Sequence, residues 1–296
     1  MSTVYKRIKY KLKSHCPDFL IPSYIKFQYS RATGKKCNLE HPITYTEKIQ
    51  WSKLYRDNER LSMFADKLEV RKWVKSVIGE EYLIPMVGKE IEDVSDFDIS
   101  VLPKRFVIKA NHGCGYNILV DDKETVDIEV LKKKIGEWLS YNFAYEIFEM
   151  QYKNIKPKIY FEKNIRSVDM KDLPDYKFFC FNGKVYCSYT MLDYTLDHSK
   201  GRLGFFDRDY KIMPYHRKDY YPITEQLEKP KNYNKMVEIA EILSEGFSHV
   251  RVDLYNIDGK IYFGEMTFST CGGYCKFEPD EFDTILGEQW NLNHGL

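Results

Sequence analysis

The run His249-Val250-Arg251-Val252-Asp253-Leu254-Tyr255, followed by Asn256-Ile257-Asp258-Gly259-Lys260 and then Ile261-Tyr262-Phe263-Gly264-Glu265-Met266-Thr267-Phe268, decides the fold. Two segments rich in β-branched and aromatic residues flank an Asp-Gly pair, the pattern of an antiparallel hairpin. With a three-residue loop Asp258-Gly259-Lys260 and Gly259 at positive φ, Ile257 faces Ile261, Asp253 faces Glu265 and Arg251 faces Thr267. Opposed residues share one face of a sheet. Arg251, Asp253, Glu265 and Thr267 are therefore expected as one polar patch, while Val250, Val252 and Leu254 point the other way. Two adjacent carboxylates repel unless a cation lies between them. Hard oxygen donors beside a phosphate suit Mg²⁺. The plainer alternative is a salt bridge from either acid to Arg251, and a two-residue turn would break the assumed register.

Just downstream lie Ser269-Thr270-Cys271-Gly272-Gly273. Ser269, Gly272 and Gly273 offer small hydroxyl and backbone N–H donors for an oxyanion or a carboxylate. Far upstream, Phe106-Val107-Ile108-Lys109-Ala110 reads as a strand, interrupted by His112-Gly113-Cys114-Gly115 and resumed at Tyr116 to Val120. The Gly113 and Gly115 loop lacks the Gly-Lys-Ser/Thr of a Walker A motif and is not followed by a helix. A glycine-rich hairpin can still fold over phosphates and present backbone N–H groups. Lys109 shares a face with Val107, opposite Phe106 and Ile108. An ammonium on an apolar strand needs a partner, and either a phosphate or a structural acid would serve.

Between these segments the chain alternates elements. Thr44 and Glu47 form a capping-box pattern, and the following helix should bury Ile49, Trp51 and Leu54. Asp66 opens a further helix that stops near Gly79. Tyr82 to Val87 reads as a short edge strand containing Pro85, residues 128–150 as helix, and Lys158 to Glu162 as a strand. Tyr176 to Phe181 and Lys184 to Thr190 flank Asn182-Gly183 as a hairpin, and residues 232–247 read as helix. At the N-terminus, Val4, Tyr5, Ile8 and Leu12 repeat at helical spacing among Lys6, Arg7, Lys9 and Lys13. That is a basic amphipathic helix, of a kind that docks by one face or touches an anionic membrane surface.

Bulk properties bound the function. The 296 residues carry a net charge of +1, so no global field favours nucleic acid. Basic residues concentrate between Lys6 and Lys36, where nine Lys or Arg face the single acid Asp18. No apolar run suits a membrane span or a secretory signal. The seven cysteines show no framework spacing and read as reduced thiols of a cytoplasmic protein. Cys271 and Cys275 lack the second pair that a zinc site needs.

Taken in order, these pieces resemble the ATP-grasp fold, and more narrowly its TupA-like branch associated with teichuronopeptide biosynthesis. The runs that carry the resemblance are Pro42 to Lys48, Asp66 to Arg71, Asn111 to Asn117, Asp175 to Gly183 and Glu265 to Phe268. The expected architecture is α+β, two α+β sub-domains sandwiching ATP behind a small, mainly helical N-terminal region. The expected boundaries are 1–100 for the helical region, 101–165 for the small sub-domain and 166–296 for the large one. The resemblance implies that Lys109 and Lys177 hold phosphates, with Gly113, Cys114 and Gly115 above them. It implies that Glu162, Lys163, Asn164 and Ile165 contact adenine or ribose, and that Asp253 and Glu265 ligate Mg²⁺. Arg251 would hold the transferred phosphoryl group or acyl phosphate. Thr267 stands where many such enzymes have a metal-binding Asn and is expected as a weaker metal ligand, and Cys114 stands where Ser is common. The implied chemistry is carboxylate activation by ATP as an acyl phosphate, then transfer to an amine. The family context suggests an amino acid joined to a uronic-acid carboxylate of a capsular or cell-wall polysaccharide.

Three rival readings remain open from sequence. Asp207-Arg208-Asp209 could bind a metal and a sugar diphosphate, as in a glycosyltransferase. A kinase would also use a glycine hairpin, but Lys109 precedes its loop and no His-Arg-Asp catalytic loop is present. A non-catalytic binding module would not need Lys109, Asp253 and Glu265 together.

Overall fold

A computed structural model describes residues 10–167, 170, 172–195, 198–293 and 295. Val4, Tyr5, Ile8 and the basic residues among them lie outside the described residues. Leu12, at the described end of that segment, is 71% exposed, whereas Lys13 is buried and donates to the Glu146 carbonyl. The apolar stripe expected there is thus reversed at this end, because the long Lys13 stem can lie along Tyr24 while its charge finds an acceptor. Among the described residues no helix is long and apolar enough to cross a membrane.

The first sheet has β1 (Phe106–Ala110) at its centre, flanked by β2 (Asn117–Val120) and β3 (Ile159–Lys163). Phe106, Ile108, Ala110, Ile159 and Phe161 face one way and pack with Leu131 and Ile135 of the helix Ile128–Leu139. Strand alternation then turns Val107, Lys109, Tyr160 and Glu162 to the opposite face.

The second sheet is built from β4 (Asp175–Phe181), β5 (Lys184–Leu192), β6 (Arg202–Asp207), β8 (Tyr221–Pro222), β9 (His249–Ile257) and β10 (Lys260–Thr267), in the order β10-β9-β4-β5-β6-β8. A small ribbon pairs β7 (His216–Arg217) with β11 (Phe277–Glu278). Phe178, Cys180, Val250, Val252, Leu254 and Met266 pack against Met236, Ile239, Ala240 and Leu243 of the helix Tyr233–Ser244. On the other face Phe179, Phe181, Tyr189 and Phe205 meet Tyr45, Ile49, Phe277, Phe282 and Trp290.

Thr44 caps the helix Tyr45–Tyr55 with the expected capping box. Its buried face differs from expectation. Ile49 is fully buried, but Trp51 and Leu54 are only half-buried, and Gln50 and Lys53 take the interior positions. They do so because the turn after β10 supplies acceptors. Gln50 Nε2 donates to the carbonyls of Gly272 (2.9 Å) and Gly273 (2.8 Å), and Lys53 Nζ also donates to Gly272.

Residues 82–87, read as a short strand, form only isolated bridges. Leu83 pairs with Phe263 of β10, Met86 with Glu162 and Ile91 with Ile159 of β3. Pro85 has no N–H to donate and Gly88 adopts φ +80°, so a regular ladder cannot run through them. This segment still links the two sheets, and it brings the Glu162 face of the first toward the β10 edge of the second. The segment expected as one helix at 128–150 ends at Leu139 and resumes as the short turn Ala144–Ile147.

Candidate functional site

The last hairpin reaches the expected pairing by a different route. Asp258 and Gly259, at φ +53° and +93°, make a two-residue turn with Lys260 already opposite Ile257. This is the turn that should have broken the register. Instead a bulge at Gly264 absorbs one residue, and pairing resumes with Glu265 opposite Asp253 and Thr267 opposite Arg251. A side chain at 264 would meet the Asp253 carbonyl oxygen at 3.0 Å and the Tyr255 ring at 3.3 Å, so the bulge residue has to be small.

Because Lys177 pairs with Asp253 on one side and with Tyr189 on the other, a single row crosses four strands: Tyr189, Lys177, Asp253, Glu265. Arg251 and Thr267 sit one step along the same face. Arg251 grips Asp253 bidentately, Nε to Oδ1 and Nη2 to Oδ2, both at 2.7 Å. Its Nη2 also donates to Thr267 Oγ1 at 3.0 Å and lies 3.5 Å from Glu265 Oε1. Lys177 Nζ lies 2.6 Å from Asp253 and 2.5 Å from Asp175. Burial alone would lower the Lys177 pKa, but the Asp175 and Asp253 carboxylates hold it well above the usual lysine value. Enclosure likewise works to raise the Glu265 carboxyl, yet Lys67, Lys177 and Arg251 overcome it and hold it down at about 2.

Lys109 lies on the same face of the first sheet as Tyr160 and Glu162. Its Nζ lies 2.7 Å from Glu162 Oε2, and Arg71 Nη1 binds the other Glu162 oxygen at 2.7 Å. Of the two partners left open for Lys109, an acid is present. Glu162, expected against adenine or ribose, serves here as the buried counter-ion of two cations. Tyr160 is opposite Lys109 in the ladder. Burial pushes its hydroxyl pKa up, and the Glu162 and Glu265 carboxylates both add to the shift.

The remaining expected residues fall into three groups. Lys163, Asn164 and Ile165 line a cavity of about 320 Å³ with Arg105, Ile257 and Tyr262, at the far end of β3 beside the last hairpin. The glycine loop spans 111–115, closed by the Ala110 N–H donating to the Tyr116 carbonyl at 3.0 Å. Gly113 takes φ +130°, and a side chain there would meet the Phe143 ring at 2.6 Å; Gly115 takes φ +74°. Cys114 is exposed between them. After β10, Ser269 is buried and accepts from Gln151 Nε2 at 3.3 Å. The Gly272 N–H donates to the Ser269 carbonyl at 2.8 Å, so that amide is engaged inside its own turn.

Two participants had no sequence signal strong enough to name them. Asp175 shares a face with Lys177 two residues on, which strand alternation alone could have suggested. Lys67 reads from sequence only as part of a helix start, yet its Nζ donates to the Gly113 carbonyl at 2.5 Å and lies 3.4 Å from Glu265 Oε2. By contrast, Asp207 of the Asp-x-Asp tripeptide accepts from the backbone N–H groups of Asp209 (2.9 Å) and Lys211 (2.8 Å), which makes it a turn-stabilising residue.

The donor set suits a nucleotide-bound divalent cation. Asp253 and Glu265 offer paired hard oxygens, each already balanced by a protein cation. Among the described residues no group of three or more His, Cys, Asp or Glu is arranged to hold a metal alone. Mg²⁺ characteristically takes one or two carboxylates plus phosphate oxygens and water, so two acids are what such a site requires.

No curated protein matches the chain. Solved structures that it matches include D-alanine–D-alanine ligase from Bacillus anthracis complexed with ATP, at 16% identity over 70% of this chain and 55% of that chain, with a TM-score of 0.37. Another is the ATP-grasp ligase PsnB complexed with a phosphomimetic variant of its minimal precursor, Mg and ADP, at 12% identity over 77% and 57%, with a TM-score of 0.38. D-alanine–D-alanine ligase from Helicobacter pylori matches at 10% identity over 77% and 62%, with a TM-score of 0.39. The chain spans less than two thirds of the length of each. The family model described as TupA-like ATPgrasp matches residues 47–291, a span that contains every site residue above, and the chain belongs to that family and has its ATP-grasp fold.

Proposed function

We propose that this chain is an ATP-dependent carboxylate–amine ligase that works through an acyl phosphate. Its substrates on this reading are an amino acid and a uronic-acid carboxylate of a capsular or cell-wall polysaccharide precursor. One observation supports the reading most: Lys177, Asp253 and Glu265 in one row, with Arg251 beside them.

On this reading the substrate carboxylate attacks the γ-phosphorus of ATP, forming an acyl phosphate and releasing ADP. The amine then attacks the acyl carbon and inorganic phosphate leaves. Mg²⁺, when bound by Asp253 and Glu265, would draw charge from the phosphate oxygens. Lys177 and Arg251 are held on this face by buried acids before any substrate arrives. Thr267, between Arg251 and Glu265, orients both through its hydroxyl. Lys109, paired with Glu162, would reach the nucleotide from the first sheet. Lys163, Asn164 and Ile165 would contact the base in the cavity they line. Ser269 and Gly273 would border the acyl group. A basic N-terminus would leave room for peripheral contact with an anionic membrane.

The test is ATP turnover with Mg²⁺ across uronic acids combined with amino acids. Release of ADP and phosphate that requires both substrates, with a hydroxamate formed when hydroxylamine replaces the amine, supports the ligase. Release of UDP from UDP-sugars, with no ADP from ATP, overturns it in favour of a glycosyltransferase.

A further inference from the structure

The helix Ile21–Thr33 packs into the protein by one stripe. Ile21, Ile25 and Tyr29 recur at every fourth position and are buried. Ile21 and Ile25 cluster with Leu54, Phe148 and Met150. The Tyr29 hydroxyl lies 2.9 Å from Thr46 Oγ1 in the helix Tyr45–Tyr55. The outer side is not simply polar. Leu20, Phe27 and Arg31 recur at helical spacing and share a stripe turned away from that core. Leu20 is 45% exposed and Phe27 57%. The Arg31 guanidinium lies over the Phe27 ring, 5.8 Å from its centroid. Just before the helix, Phe19 is 78% exposed.

None of these side chains is used by the core. At Leu12 and Lys13 the usual arrangement is inverted, since the lysine turns inward to the Glu146 carbonyl and the leucine stays outside. Large apolar side chains gathered on the outside of one short segment mark a surface that meets something apolar. Charge decides what. Lys11, Arg31 and Lys36 are exposed in the same segment. Between Lys6 and Lys36 nine Lys or Arg face the single acid Asp18. A second copy of this chain on that face would bring like charges together. A bilayer with anionic headgroups meets both demands, because single apolar side chains enter the acyl boundary while Lys and Arg stay at headgroup level.

We propose that the outer side of the helix Ile21–Thr33, with Leu12 and Phe19 before it, seats the protein on an anionic lipid surface. Leu12, Phe19, Leu20 and Phe27 enter the boundary of the bilayer, and Lys11, Arg31 and Lys36 meet its headgroups. The buried stripe of the same helix holds it to the body of the protein, so seating needs no part of the core to open. These residues take no part in the row of Lys177, Asp253 and Glu265, and the inference stands apart from the ligase reading.

The test is co-sedimentation of the full chain with vesicles of phosphatidylcholine mixed with phosphatidylglycerol, and with vesicles of phosphatidylcholine alone. Binding to the mixed vesicles should be at least about tenfold tighter and should weaken as salt is raised. Phe19→Ser with Phe27→Ser should weaken binding to the mixed vesicles by roughly tenfold or more, through the lost apolar burial. Lys11→Glu, Arg31→Glu and Lys36→Glu together should remove the preference for the anionic lipid. The altered side chains are exposed, so thermal unfolding should match the wild type, and a variant that keeps its stability but loses the vesicles supports the proposal. Absence of binding to the mixed vesicles, equal binding to both vesicles, or binding that neither set of variants changes overturns it. Sedimentation equilibrium without lipid covers the other occupant. A wild-type dimer that the two serine substitutions dissolve makes this face a contact between copies and also overturns the proposal.

Discussion

Lys177 Nζ lies 2.6 Å from Asp253 Oδ2, and the two residues are direct partners across β4 and β9. The same ammonium lies 2.5 Å from Asp175, so one buried cation balances two carboxylates. Replacing Lys177 with Ala should leave like charges adjacent in a poorly solvated site. We expect a loss of roughly 3–5 kcal/mol in urea unfolding, together with loss of ATP turnover. A variant that unfolds at the wild-type urea concentration would refute this account of the pair.

Glu265→Gln and Asp253→Asn should each lower ADP formation by about a hundredfold or more, since each removes an anchor for transition-state charge. Glu265 also carries a pH signature. Its folded pKa of about 2 lies below the usual 4.5, so its contribution to stability is complete above pH 4.5 and is lost as pH falls toward 2. Acid unfolding of Glu265→Gln over that window should be shallower than that of the wild type.

Gly264 holds the register that pairs Asp253 with Glu265. Gly264→Val places its Cβ at 3.0 Å from the Asp253 carbonyl oxygen. Relief requires moving β9 or undoing the bulge. A stability loss of about 1–3 kcal/mol is expected, with a larger loss of Mg²⁺-dependent turnover than stability alone explains. Retained activity at full stability would show that the bulge does not set the site.

Glu162 compensates both Lys109 and Arg71, so Glu162→Ala strands two cations. It should destabilise by about 3–5 kcal/mol. Adding Lys109→Ala to it should cost less than the separate effects predict, because each change removes the same contact. Strict additivity in a double-mutant cycle would contradict the pairing.

His249 supplies a second pH test. It is fully buried, with Nε2 at 2.9 Å from the Tyr45 hydroxyl and Nδ1 at 2.9 Å from the Cys180 carbonyl oxygen. Burial pushes its pKa down to about 3 from 6.5. The unfolded chain takes up this proton below pH 6.5 and the folded chain does not until about pH 3. Stability should therefore fall by up to about 1.4 kcal/mol per pH unit across that window from this group. Urea unfolding of His249→Gln at pH 7, 6 and 5 should show a smaller slope.

Sequence by itself determined which way each strand residue faces. Alternation put Lys109 opposite Phe106 and Ile108, and put Arg251, Asp253, Glu265 and Thr267 on the face away from Val250, Val252 and Leu254. Local chemistry also marked the Thr44 capping box and the turns at Asn182-Gly183 and Asp258-Gly259. The expected Asp253–Glu265 pair was reached through the wrong loop length, because a turn and a bulge that cancel leave the same final register. Tertiary structure alone decided which distant segments became neighbours. Lys177 meets Asp253 only because β4 enters the sheet beside β9. Glu162 meets Lys109 only because β3 flanks β1. Lys67 reaches Glu265 from a helix start whose side chain follows no period at all. Periodicity records the face a residue takes within its own strand, but strand order follows from packing the whole sheet at once, and no local pattern carries it.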